Sequence, residues 1–159
     1  MKMSIRLTVN GSPHSLELSE EVPLIFALRN DLDCHGAKLG CGLEQCGACV
    51  VLADGEPIYS CTTRIGDLQG KAIETLEGLA AESGELHPIQ QAFLNHNAAQ
   101  CGFCLSGIVM RTKALLAKNP KPSRQDICQA LDGHLCRCGA QPRMIRAVES
   151  AAARLRGAS

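Results

Sequence analysis

The sequence predicts an α+β chain, strands first and helices after, and three observations carry that prediction. Apolar residues alternate with a period of two in the N-terminal part, the period shifts to about 3.6 after Leu79, and ten cysteines fall into spaced groups along both parts. At 159 residues the chain fits one ordinary domain or two small ones, each too small for a large hydrophobic core. Something besides apolar burial is therefore expected to help hold it together.

The strand-like part opens with "SIRLTVNG", where Ile5, Leu7 and Val9 alternate before a turn at Asn10-Gly11. Leu16 and Leu18 resume the alternation, which predicts a hairpin. "VPLIFALRN" is apolar without strict alternation and reads as a short helix. "CVVLADGEPIYSC" predicts a second hairpin turning at Asp54-Gly55, and "KAIETLEGL" supplies a last strand. In the helical part, "HPIQQAFLNH" puts Ile89, Ala92 and Phe93 on one face, with Pro88 suited to the first turn. "LSGIVMRTKALLAKN" aligns Leu105, Ile108, Val109, Thr112, Leu115 and Leu116, and Asn119-Pro120 ends it. "PSRQDICQAL" begins with a capping-box pattern, Ser123 and Asp126, and is expected to bury Ile127, Ala130 and Leu131. "RMIRAVESAAARL" repeats apolar residues at Ile145, Val148, Ala152 and Leu155. Four amphipathic helices with short connections make a small bundle.

Composition removes several function classes. Lys plus Arg and Asp plus Glu number 16 each, so the net charge of zero gives no electrostatic case for nucleic acid or an anionic membrane. The first twenty residues carry no apolar signal core and no cleavage site, and the longest apolar runs fall short of the roughly 20 residues that span a bilayer. Neither a secretory signal nor membrane insertion is expected. A chain assembled in the reducing cytosol is expected to use its cysteines on metal rather than in disulfides.

The first cysteine set, Cys41, Cys46, Cys49 and Cys61, has the spacing C-x4-C-x2-C-x11-C. This is the plant-type pattern for a [2Fe–2S] cluster, one loop giving three thiolates and a more distant segment the fourth. Gly36, Gly40, Gly42 and Gly47 offer the positive φ values and missing Cβ atoms that close wrapping needs. The predicted second hairpin can bring Cys61 back to that loop. The second set, Cys101, Cys104, Cys136 and Cys138, is spaced C-x2-C-x31-C-x-C and is less specific. Each of its pairs stands at the start of a long helix, where backbone N–H groups favour negative charge, and an approximate two-fold would bring the pairs together. Four such thiolates suit a structural zinc or a second [2Fe–2S] cluster. The redox centre already implied by the first set favours the cluster, which would make a two-centre relay.

Cys34 and Cys128 read as buried free thiols. The five histidines, His14, His35, His87, His96 and His134, read as surface or capping residues. "GCGLEQ" lacks the third glycine of a dinucleotide fingerprint, "GDLQGKA" is too short for a phosphate loop, and no nucleophile elbow or paired-carboxylate site is present.

The motifs "GCGLEQCGACVV" with Cys61, "LHPIQQAF", "AAQCGFCLSGIVM" and "HLCRCG", in that order, resemble the small iron–sulfur subunit of molybdenum hydroxylases, the xanthine oxidase-like family. The resemblance covers nearly the whole chain. It implies a β-grasp ferredoxin-like [2Fe–2S] domain over residues 1–76 and a four-helix bundle with a second [2Fe–2S] cluster over residues 77–159. It also implies an electron-transfer role beside a large molybdopterin-binding catalytic subunit. Cys101, Cys104, Cys136 and Cys138 then hold the molybdenum-proximal cluster, and Cys41, Cys46, Cys49 and Cys61 the distal one. Gln100 is similar to the family's glutamine that hydrogen-bonds the pterin, and Cys138 to the ligand beside it.

One departure narrows the expectation. Many members that pair with a flavin subunit read C-R-C-T-G-Y, whereas this chain has Cys136-Arg137-Cys138-Gly139-Ala140-Gln141. With "LRNDL" upstream, this looks more like the isoquinoline, nicotinate and aldehyde dehydrogenases that deliver electrons to a cytochrome c module, with an FAD subunit the less favoured acceptor. Hydroxylation of an N-heteroaromatic ring or oxidation of an aldehyde is the implied reaction. Cytoplasmic assembly is expected, which is compatible with export as a passenger on a partner.

Overall fold

A computed structural model of the chain describes residues 2–80 and 83–157. Five strands and five α-helices follow in the order β1 (Lys2–Val9), β2 (Ser12–Ser19), α1 (Leu24–Asn30), β3 (Val50–Ala53), β4 (Glu56–Tyr59), β5 (Ala72–Glu74), α2 (Pro88–Asn95), α3 (Leu105–Lys118), α4 (Arg124–Leu131) and α5 (Gln141–Gly157). The strands form one mixed sheet in the order β2-β1-β5-β3-β4, in which only β1 and β5 run parallel among the named pairs. Both expected hairpins are present. Asn10 and Gly11 have φ of 50° and 83°, and Asp54 and Gly55 have 49° and 84°, the positive values that a two-residue hairpin turn requires.

Strand β3 explains why "VVLA" is apolar at every position. Its side chains point alternately to opposite faces, and both faces are covered. Val51 and Ala53 join Ile5, Leu7, Val9 and Ile73 in an apolar cluster closed by Leu24, Ile25 and Leu28 of α1. Val50 and Leu52 face the other way, into the cluster formed by α2, α3, α4 and α5. One short strand is therefore built into both cores.

The same packing corrects the single-faced reading of α3. Ser106, Gly107, Met110 and Ala114 are buried along with the expected Ile108, Val109, Thr112 and Leu116, while Leu105 and Leu115 are only half-buried. The helix is covered on nearly all sides because it lies between β3 and the other helices. In α5 the buried stripe is rotated from the expected one: Met144, Ala147 and Ala151 join Val148 and Ala152, and Ile145 and Leu155 sit at its edge. In α4 only Ile127 is fully buried, so Ala130 and Leu131 are less covered than their spacing suggests. The helix starts are as expected. Ser123 and Asp126 form a reciprocal capping box, and His87 with Gln90 forms another ahead of α2.

Sheet and helices meet along a tight backbone seam. A Cβ added at Gly107 of α3 would lie 1.9 Å from the carbonyl oxygen of Gly47. The hydroxyl of Ser106 donates to the Ala48 carbonyl at 3.5 Å, and the Leu135 N–H donates to the Cys46 carbonyl at 3.1 Å. Lys113 pairs with Glu74, and Lys118 with Glu56 at 2.6 Å, tying the outer end of α3 to the sheet. No helix among the described residues is long and apolar enough to cross a membrane.

Because no side chain fits at the Gly107 contact without moving backbone, Gly107→Ala is expected to destabilise the chain by about 1–3 kcal/mol. A thermal melt of the variant beside the parent chain checks this, with a midpoint lowered by several degrees as the expected result.

Candidate functional site

The first cysteine loop leaves α1 and is fixed at its start by a part-buried polar clasp. The Glu77 carboxylate accepts from the Gly36 N–H at 2.6 Å and from the Thr75 hydroxyl at 2.6 Å. Thr75 is in turn held from both sides by Asn10, whose Oδ1 accepts from its N–H and whose Nδ2 donates to its hydroxyl, each at 2.9 Å. The turn of the first hairpin, the end of β5 and the start of the cysteine loop are thereby locked together. Cys34 sits beside this clasp, half-buried, its thiol pushed up by burial and then by the Glu77 charge.

Gly42 and Gly47 have φ of 68° and 70°, as close wrapping requires. Gly36 and Gly40 serve by leaving room instead. Their added Cβ atoms would lie 2.9 Å from a Glu77 oxygen and 2.7 Å from the Cys46 sulfur.

The eight cysteines of the two sets come together as couples. Cys41 and Cys46 are in side-chain contact, as are Cys49 and Cys61. In the helical part the sulfurs of Cys101 and Cys138 lie 3.5 Å apart, and Cys104 contacts Cys136. Each set has an outward and an inward couple. Cys41 and Cys101 are exposed, whereas Cys49, Cys61 and Cys104 are buried.

Backbone N–H groups surround the outer sulfurs. Those of Leu43 and Gln45 each donate to Cys41 Sγ at 3.3 Å, and they bring its thiol down to about 7. The Phe103 N–H likewise shifts the Cys101 thiol downward. For Cys136, burial pushes upward, but N–H groups of Ala140, Cys138 and Gly139 outweigh it and the net shift is downward. The inward Cys49 and Cys104 are pushed up to about 12, chiefly by burial. Among the described residues no three His, Cys, Asp or Glu side chains converge on a single point as they would around one ion. Pairs of thiols spread around a larger volume and lined with N–H donors suit a binuclear group with bridging sulfur.

Gln100 is exposed, and its Nε2 donates to the Cys138 carbonyl at 3.0 Å, tying the two halves of the second set together. Among the histidines, His87 caps a helix as expected, but His134 is a correction: it is only 5% exposed. Its ring fills the space over Gly47, where an added Cβ would lie 2.4 Å from Cδ2, and neither ring nitrogen has a well-formed hydrogen bond. Burial, then the Arg111 charge, lowers it to about 4. A glycine beside each of two cysteine motifs was the signal in the sequence for such a contact, but its partner was not legible. Cys128 is a second correction: it is exposed, on the outer face of α4, not buried.

The Glu77 clasp gives a pH-dependent expectation. Burial alone would raise this carboxyl, but hydrogen bonds from Thr75 and Gly36 reverse the shift and hold it below the usual range. A depressed folded value contributes stability above the usual carboxylate range, and that contribution is lost as pH falls through it. Glu77→Ala is expected to cost about 1–2 kcal/mol at pH 7, with the deficit narrowing in acid. Denaturant titrations at pH 7 and at pH 3–4 measure both.

Residues 75–149 match the family described as [2Fe-2S] binding domain. The chain is 45% identical over 152 residues to a nicotinate dehydrogenase subunit from Pseudomonas putida, covering 96% of each. It is 42% identical over 149 residues to the alpha chain of isoquinoline 1-oxidoreductase from Brevundimonas diminuta, covering 93% of this chain and 97% of that one. Among solved structures, quinoline 2-oxidoreductase from Pseudomonas putida 86 superposes with a TM-score of 0.92 at 37% identity, covering 98% and 97% of the two chains. These likenesses span the strands, the helices and both cysteine sets, and the chain belongs to the small iron–sulfur subunits of the molybdenum hydroxylases, subunits of oxidoreductase complexes.

Proposed function

We propose that the chain is the electron-relay subunit of a molybdenum hydroxylase. In this reading Cys41, Cys46, Cys49 and Cys61 hold one [2Fe–2S] group, and Cys101, Cys104, Cys136 and Cys138 hold a second. When bound, each group supplies a store that takes up and gives back one electron at a time. The observation that carries the reading is the pairing of the thiols. A binuclear centre takes two thiolates at each iron, whereas a single zinc needs its ligands about one point. The couples Cys101/Cys138 and Cys104/Cys136 have the first arrangement, which weighs against a ferredoxin with a structural zinc.

The chain's own residues divide the work. N–H groups donated to Cys41, Cys101 and Cys136 disperse thiolate charge, and burial of Cys49, Cys61 and Cys104 keeps water from the inner sides. Gln100, Cys101 and Cys138 form the outward side of the second set, which we assign to the large molybdopterin-binding subunit. Gln100 Nε2 is engaged by Cys138, leaving Oε1 to accept from the pterin. The exposed Cys41 side then faces the electron acceptor. Residues 1–76 form the β-grasp ferredoxin-like part and residues 77–159 the helical part, joined through β3.

A cytochrome c module is our choice of acceptor over a flavin subunit, supported by the Gly139-Ala140-Gln141 sequence after the last cysteine. The reaction of the whole complex is hydroxylation of an N-heteroaromatic ring. Supporting this, the relatives are named for nicotinate, isoquinoline and quinoline. Assembly takes place in the cytoplasm.

Two measurements test this. Reduced chain should show two distinguishable [2Fe–2S] EPR signals, and Cys136→Ala should remove one of them; a variant keeping both would refute the ligand assignment. Purification of the native complex should bring down a large molybdenum-containing chain with a haem protein. Recovery with a flavin subunit would overturn the choice of acceptor.

A further inference from the structure

We propose that Arg111 is a part-buried counter-charge shared by the two thiol sets, and that its guanidinium raises the reduction potential of both centres. The inference rests on the reading that the eight cysteines hold two [2Fe–2S] groups. Arg111 stands on α3 one turn beyond Gly107 and two turns beyond Cys104. Helical side chains lean toward the N-terminus, so its stem runs back toward the cysteine end. Its Nε is buried without a hydrogen-bond partner, and its guanidinium has no ion pair among the described residues.

Its charge acts on two aromatic rings, and each belongs to a cysteine segment. The guanidinium carbon lies 6.0 Å from the centroid of the Tyr59 ring, two residues before Cys61. Its charge also reaches His134, which covers Gly47 between Cys46 and Cys49 and stands two residues before Cys136. The cation thus acts on one ring from the segment of each set.

A guanidinium partly removed from water without a carboxylate is unfavourable unless another anion compensates. The thiol sets supply that anion. Two ferric ions do not balance two sulfides and four thiolates, so each oxidised centre carries two negative charges, and one electron from an external reductant makes three. A nearby part-buried cation stabilises the more negative form more strongly. Uptake of the electron therefore becomes easier at both centres.

The test is a dithionite redox titration of the purified holochain followed by EPR, for the parent, Arg111→Gln, Arg111→Met and Arg111→Lys. The neutral variants should keep four irons and both signals. Their equilibrium constants for reduction should fall roughly three- to ten-fold at each centre, a drop of about 30–59 mV for a one-electron couple. Arg111→Lys, which keeps the charge, should retain most of the parent value. Unchanged potentials in a four-iron neutral variant would overturn the proposal, as would a shift confined to one signal or an equal drop in Arg111→Lys. Loss of iron from both neutral variants would make Arg111 a folding residue and overturn it too. A parent chain without four irons would instead sink the cluster reading on which the proposal stands.

Discussion

The rest of the architecture depends on one backbone contact, Gly107 of α3 against the carbonyl of Gly47. Neither partner can carry a side chain there, since the Gly47 position is also closed by the His134 ring. Through this contact the loop bearing Cys41, Cys46 and Cys49 rests on the helix that begins after Cys104. The Leu135 N–H, donated to the Cys46 carbonyl beside Cys136, adds a hydrogen bond between the same two regions. Close approach of main chains, rather than an interlocking of large side chains, is what brings the two sets into one seam.

Around that seam the packing follows from simple periodicities. Strand β3 divides its side chains between two apolar clusters, so neither the sheet nor the helices can shift without disturbing the other. The scarcity of aromatic residues, three Phe, one Tyr and no Trp, leaves both cores largely aliphatic. The polar clasp of Asn10, Thr75 and Glu77 does at the start of the cysteine loop what the glycine contact does at its end. Between them they hold a loop that has almost no regular hydrogen-bonded structure of its own.

Much of this was legible in the sequence because it is local. Both hairpins turn where Asn-Gly and Asp-Gly demand it, and the helices start at Pro88 and Ser123 with the expected caps. The first cysteine set was readable from its spacing, whereas the second was less specific and was grouped by its position at two helix starts. What the sequence hid was contact between distant segments. The extra buried face of α3 depends on β3 crossing it, and the burial of His134 depends on a glycine 87 positions earlier in the chain. Cys128 misled because its neighbour Ile127 is buried, while a step of about 100° around a helix carries the next residue to the outer face. Gly36 and Gly40 were legible as necessary, and of the two reasons offered it is the missing Cβ rather than a positive φ that matters at both.

On the relay proposed above, two sets of paired thiols, each with an exposed and a buried side and joined by a glycine seam, would form a path that meets a partner at either end. The central claim is that both sets hold iron with bridging sulfide. Iron, acid-labile sulfide and zinc measured together on the purified native chain test it most directly. The account predicts four irons, four sulfides and no stoichiometric zinc per chain. Two irons, two sulfides and one zinc would contradict it, because the second set would then be a structural clip and no relay could run through it.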